Sequence, residues 1–168
     1  MSEGISKTML HQYLSFRLGE EMFAIDVSQV REVLDITAIT KVPRSPEFMR
    51  GVINVRGNVV PVVDLRVKFD MGKTEQTVDT RIVVMEIDLN GELTIIGTLA
   101  DAVNNVMDID TSSIEQTPKV GTKWKTDFIE GIGKIDDDFI IILNVDHIFS
   151  ANELAMVQEA EVDDALAA

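Results

Sequence analysis

An internal repeat narrows the possible folds more than any other feature of this chain. Phe48-Met49-Arg50-Gly51-Val52, Val55, Val59 to Val63 and Asp64-Leu65 are matched eighty residues on by Phe128-Ile129-Glu130-Gly131-Ile132, Ile135, Phe139 to Leu143 and Asn144-Val145. Eighteen consecutive positions align without a gap. Upstream, Val30 and Val33 correspond to Val103 and Val106 at an offset of seventy-three. A β-rich unit of this size that occurs twice is expected to form two small barrels, because closure removes the exposed edges a flat sheet would carry.

The local pattern is one of hairpins. Leu14, Phe16 and Leu18 alternate with Tyr13, Ser15 and Arg17, Gly19-Glu20 turns the chain, and Phe23, Ile25 and Val27 resume the alternation. Ile82 to Leu89 and Leu93 to Leu99 flank Asn90-Gly91, where both turn residues tolerate positive φ. Phe128 to Ile135 and Phe139 to Val145 flank Asp136-Asp137-Asp138. A fourth hairpin is expected from Gly51 to Arg56 and Val59 to Val63, with Gly57-Asn58 as its turn. Pro61 cannot donate a ladder hydrogen bond, so this return strand should be an edge or carry a bulge.

Helices should be few and short. Asp26 and Gln29 have capping-box spacing, and Val30, Val33 and Leu34 would share one helical face after them. Each half would then read hairpin, short helix, hairpin. Ser150 and Glu153 repeat the capping spacing ahead of Leu154 and Val157, which predicts a C-terminal helix with an acidic outer face. Gly72 to Asp79 is polar and aperiodic, the expected linker. Residues 13–149 are therefore expected to form one domain, made of an approximate first barrel over 13–71 and a second over 80–149 that can exchange strands, followed by a helix and tail over 150–168.

Charge and composition exclude several roles. With 45% hydrophobic residues the chain should pack a core, and its net charge of −14 opposes attraction to phosphate backbones or anionic headgroups. Nucleic acid and direct membrane insertion are not expected. No cysteine is present, which fits a reducing, cytoplasmic compartment. The first twelve residues lack a signal-peptide core, and the longest apolar run, Phe139 to Leu143, is far too short to span a bilayer.

Catalytic and metal chemistry finds little material. His11 and His147 are the only histidines and neither has a second ligand at fixed spacing. Asp136-Asp137-Asp138 lacks the spaced oxygens and closing Glu of a calcium loop, and Gly131-Ile132-Gly133 lies in a strand pattern that suggests a bulge or close packing. No nucleophile elbow occurs. Neither a cofactor nor an enzyme is expected, and a small barrel hydrolase is the remaining catalytic alternative. Trp124, between Lys123 and Lys125, reads either as a packed loop aromatic or as a partner-interface anchor. Arg56, at a hairpin turn, should project into solvent.

Val30-Arg31-Glu32-Val33, Gly51-Val52-Ile53-Asn54-Val55-Arg56-Gly57 and Val60-Pro61-Val62-Val63-Asp64-Leu65-Arg66 together resemble the CheW-like domain family of chemotaxis coupling proteins. Ile96-Gly97 with Asp101 and Val103, the Gly131 and Gly133 strand and Leu143-Asn144-Val145 extend the resemblance over about the whole chain. It implies two five-stranded SH3-like barrels sharing a hydrophobic interface. It also implies a cytoplasmic scaffold, recruited to membrane-associated receptor arrays, that couples the tips of methyl-accepting chemoreceptors to the regulatory domain of the kinase CheA, with other CheW-like domains as further array partners. By position, Val30, Glu32, Gly51, Arg56, Gly57 and Gly97 are the implied receptor-coupling residues. The loop Lys119 to Asp127 departs most from the family pattern. With no kinase or receiver segment in these residues, a stand-alone coupling protein is expected, the alternatives being the equivalent module of a CheV-type or CheA-type protein.

Overall fold

The alternating runs do pair about their turns. In a computed structural model that describes residues 10–89, 91–115, 128–135 and 137–149, ten strands form. They are β1 (Leu10–Leu18), β2 (Glu21–Asp26), β3 (Val30–Asp35), β4 (Met49–Val55) and β5 (Asn58–Val63). The second half supplies β6 (Arg81–Leu89), β7 (Glu92–Ala100), β8 (Ala102–Asp110), β9 (Ile129–Ile135) and β10 (Asp138–Leu143). Two five-stranded sheets result, sheet A in the order β8-β1-β2-β10-β9 and sheet B in the order β3-β6-β7-β5-β4. Each sheet thus draws strands from both 13–71 and 80–149, with the β1–β2 hairpin of the first half and the β6–β7 hairpin of the second exchanged between them.

Both sheets curl toward closure by the same device. Past β3, Thr40 exchanges two 2.9 Å backbone hydrogen bonds with Val52 of β4, and past β8, Glu115 exchanges bonds of 2.9 and 2.7 Å with Ile132 of β9. Val52 and Ile132 are repeat equivalents. Ile53, Val60, Val62, Ile82, Val84 and Leu99 fill the interior of sheet B, and Tyr13, Ala24, Ile109, Ile140 and Ile142 that of sheet A. A third and larger core joins the sheets, with Phe16, Phe23 and Leu143 from one side and Met49, Val63 and Met85 from the other. Each such side chain fully removed from water contributes about 2 kcal/mol. Across this interface Phe69 stacks on Phe128 at 4.7 Å and Phe149 meets Phe48 at 5.4 Å between ring centroids. The eighty-residue offset carries Phe48 to Phe128 and Phe69 to Phe149, so the two contacts are equivalent to each other and the halves meet about a pseudo-twofold.

Three local expectations are corrected. The short helix after β2 is only a 3-10 turn, Val27–Gln29, and Val30, Val33 and Leu34 lie in strand β3. Val103 and Val106 likewise lie in β8. Spacing compatible with a helix yields here to a β-branched run that the sheet needs, since β3 closes on β6 and β8 on β1. The fourth hairpin turns on Arg56-Gly57 rather than Gly57-Asn58: φ is 50° at Arg56 and 86° at Gly57, and Asn54 Oδ1 accepts the Gly57 N–H at 2.7 Å. The strand after it, β5, is internal rather than an edge. Its parallel ladder to β7 begins at Val62, just beyond Pro61, and the irregularity in its pairing falls between Met49 and Gly51 of β4.

Gly131 and Gly133 are places of close packing, as expected. A Cβ on Gly131 would stand 2.3 Å from Ile114 Cγ2 and one on Gly133 3.1 Å from Ile140 Cγ2. His11 belongs to β1 and bonds Asp26 at 2.8 Å. Trp124, the Lys119 to Asp127 loop and the C-terminal helix over 150–168 lie outside the described residues.

Candidate functional site

Ladder register brings distant residues of the chain into one row. In sheet B, Glu32 pairs with Val84, Val84 with Gly97, Gly97 with Val62, and Val62 with Gly51. Three of the implied coupling residues, far apart in sequence, therefore occupy a single line across the barrel wall. Its ends are β3 and β4, and curling brings those ends toward each other. The turn after β4 then places Arg56 over β3, where its guanidinium forms a bidentate pair with the Glu32 carboxylate: Nη1 donates to Oε1 at 3.0 Å and Nη2 to Oε2. Bidentate geometry fixes the direction of both groups, although a pair this open to water adds little stability.

Arg56 remains 72% exposed as a side chain while Glu32 is 24% exposed, so the carboxylate anchors and the guanidinium faces out. Gly57 beside it is exposed, with no atom within 4 Å of a hypothetical Cβ; its requirement is the positive φ of the turn. Val30, half-buried at the start of β3, packs against the core shared by the sheets. Gly51 and Gly97 are buried and take part through backbone shape. A Cβ on Gly51 would stand 2.2 Å from the Thr40 carbonyl oxygen, and one on Gly97 2.9 Å from Ile82 Cγ2. Val30, Glu32, Arg56 and Gly57 thus present a surface, and the two buried glycines let the wall behind it close.

Sequence reasoning missed the polar groups that hold this surface in place. Asp64, fully buried, accepts from the Thr74 N–H at 2.9 Å, the Thr74 hydroxyl at 2.7 Å, the Arg66 N–H at 3.1 Å and Arg50 Nη1 at 3.1 Å. The polar 72–79 stretch, read as a linker, is pinned there. Asp101, between β7 and β8, accepts from Arg66 Nη1 at 3.1 Å and from the Gly19 N–H at 2.6 Å, tying the first turn of sheet A to sheet B. The Asp64 and Asn144 equivalence in the repeat was the available signal for a cap at this point.

Burial alone would raise the pKa of Asp26, at the end of β2, but hydrogen bonds from the Ser28 amide and hydroxyl and from His11 outweigh it and leave it lowered. Tyr13 is raised, first by burial and then by Glu130 and Asp26. Among the described residues no group of three or more His, Cys, Asp or Glu could hold a metal. No helix of the described residues is long and apolar enough to cross a membrane.

Two five-stranded barrels fused through a shared core, with a glycine-shaped wall and an exposed arginine clamped by a carboxylate, define the class as a paired SH3-like β-barrel. The family model described as the CheW-like domain matches residues 12–153, and the chain belongs to that family. It is 29% identical over 157 residues to the chemotaxis protein CheW of Klebsiella aerogenes, covering 94% of this chain and 92% of the relative. To chemotaxis protein CheW of Thermotoga maritima it is 34% identical, covering 82% and 86%. The crystal structure of the scaffolding protein TtCheW from Thermoanaerobacter tengcongensis is similar with a TM-score of 0.75 and 40% identity, over 86% of this chain and 91% of that one.

Proposed function

We propose that this chain is a non-enzymatic chemotaxis scaffold that couples methyl-accepting chemoreceptors to the regulatory domain of the kinase CheA, working in the cytoplasm at receptor arrays alongside other CheW-like domains. One observation carries the receptor side of this reading: Glu32, two residues after Val30 in β3, holds the Arg56 guanidinium outward at the tip of a hairpin. A receptor tip is a helical hairpin, and a helix is received by apolar contacts flanked by polar groups of fixed direction. The family membership and the likeness to a scaffolding protein support the same reading. Coupling further requires that the scaffold bind the two signalling states with different affinity, since equal affinity shifts no equilibrium.

A charge reversal tests it. Arg56→Glu sets two carboxylates against each other on an exposed turn, so the fold should lose no more than about 0.5 kcal/mol. Binding to a receptor cytoplasmic fragment, measured by titration calorimetry, should weaken about tenfold or more, while CheA binding stays near that of the unaltered protein. The swap Glu32→Arg with Arg56→Glu separates contact from scaffolding. It restores the internal pair and should leave receptor binding weak; recovery of binding would show that the pair serves only the fold.

A further inference from the structure

Beside Val30 the β3 to β6 ladder is irregular: Val30 pairs with Met85 but Glu32 with Val84, so the strand slips across Arg31. Main-chain pairing alone therefore leaves the start of β3 loosely specified at the point where the proposed partner surface begins. Side chains take over on both flanks. Arg31 reaches Glu86 of β6 at 3.5 Å. Gln29 does not turn back to cap the 3-10 turn as its capping-box spacing suggested. Its Nε2 instead donates to Asp146 Oδ1 at 2.9 Å and, at 3.5 Å, to the Glu86 carbonyl.

Asp146 belongs to the other sheet. It lies in the 3-10 turn Val145–His147 that follows β10, and its Oδ1 also accepts the Asp88 N–H of β6 at 2.8 Å. One carboxylate oxygen from sheet A thus fastens two points of sheet B, the entry to β3 and the far end of β6. The equivalent residue in the first repeat is Arg66, which with Asp101 ties sheet B to the Gly19 turn of sheet A. The pseudo-twofold therefore supplies two cross-ties of different kinds. At one end of the interface stands an ion pair, its side chains 22% and 11% exposed. At the other a single acceptor atom holds two neutral donors, and that end carries the partner surface.

We propose that Asp146 is a positioning residue for the partner surface, holding Gln29 and β6 so that β3 presents Val30 and Glu32 in register with Arg56. The inference rests on the reading of β3 and the Arg56 turn as the receptor-facing site. Contact with the partner itself is not required of Asp146, since its effect passes through Gln29 to the residue that follows it.

Two measurements on the full chain test this, with Asp146→Ala, Asp146→Asn and Gln29→Ala variants. Amide hydrogen exchange over Val30 to Leu34 reports the position of β3 directly, and titration with a receptor cytoplasmic fragment reports the consequence. In the Asp146→Ala protein, exchange there should quicken and fragment binding should weaken about fivefold, the size of a modest coupling between sites. Asparagine keeps the Oδ1 acceptor and should restore both. Gln29→Ala should reproduce part of the loss, and the double variant should bind no more weakly than Asp146→Ala alone. Unaltered exchange and affinity in a folded Asp146→Ala protein would overturn the proposal, and so would an Asp146→Asn protein as impaired as the alanine variant. Should alanine at 146 prevent folding, the Gln29→Ala protein decides on the same two readouts. If the unaltered protein fails to bind the fragment, the receptor reading falls, and exchange at β3 still decides whether Asp146 positions that strand.

Discussion

Asp64 and Asn144 occupy equivalent places in the two repeats, and their backbones do the same work. The Asp64 N–H donates to the Phe48 carbonyl at 2.6 Å and the Asn144 N–H to that of Phe128 at 2.7 Å, and each residue begins a turn of helix. Their side chains part company. The Asp64 carboxylate gathers four donors, including Arg50 at 3.1 Å, whereas among the described residues Asn144 makes no capping bond and its side chain meets His147 at 3.3 Å. Arg50 is replaced in the second repeat by Glu130 and Arg66 by Asp146, and by sequence offset the outward Arg56 becomes Asp136. Closing a small barrel constrains backbone and volume tightly and charge hardly at all. The two halves therefore kept one fold while only the first retained a clamped arginine at its hairpin tip.

The largest expected effect tests that difference directly. Asp64→Ala strands Arg50 and the buried Thr74 donors and should cost about 3–5 kcal/mol, while Asn144→Ala should cost less than about 1 kcal/mol, both read from urea unfolding midpoints. Equal losses would mean that the charged network adds nothing to the shared backbone device. Next come the glycines at the closures. Gly51→Ala drives a Cβ against the Thr40 carbonyl oxygen at 2.2 Å with φ at 146°, where Gly131→Ala first meets the Ile114 methyl at 2.3 Å. About 3 kcal/mol is expected for the former and about 2 kcal/mol for the latter, because a Cβ at 131 needs no strained φ and stands off the Glu115 carbonyl oxygen at 2.9 Å, leaving most of the clash to a side-chain methyl. Like costs at both would show the two closures to be equally rigid.

The smallest effect concerns the acid limb. Asp26 and Asp110 each accept from the amide and hydroxyl of a serine two residues on, and both are lowered. A carboxylate lowered in the folded state stabilises above its ordinary value near 3.8, and that contribution is lost as pH falls through the lowered one. Only Asp26 adds His11 and partial burial. Thermal midpoints followed from about pH 5 to pH 2 should fall less steeply in Asp26→Asn than in the unaltered protein, with Asp110→Asn changing the slope less.

Hairpin positions were legible because alternation and turn chemistry act within a dozen or so residues of chain. The β6–β7 pair illustrates this, running from Arg81 opposite Ala100 to Leu89 opposite Glu92. The identity of β3 was not legible, since Val30, Val33 and Leu34 fit a helical face and become a strand only when Val84 and its neighbours arrive from fifty residues away. The site divides along the same line. Arg56 at an exposed turn could be read from the chain. Its Glu32 partner could be tied to it only by resemblance, and neither the row joining Glu32, Gly97 and Gly51 nor the Gln29 to Asp146 tie left a local trace.

What the sequence determined by itself is the repeat, the hairpins within it, the apolar faces each copy must bury and the family those residues spell out. Tertiary structure alone decided which hairpin joins which sheet, that Val30 to Asp35 extend rather than coil, and how the wall curls to set Arg56 over Glu32. The reason is physical: propensity and turn geometry are properties of neighbouring residues, whereas strand exchange and ladder register are settled by burial and hydrogen bonding between segments the chain itself holds far apart.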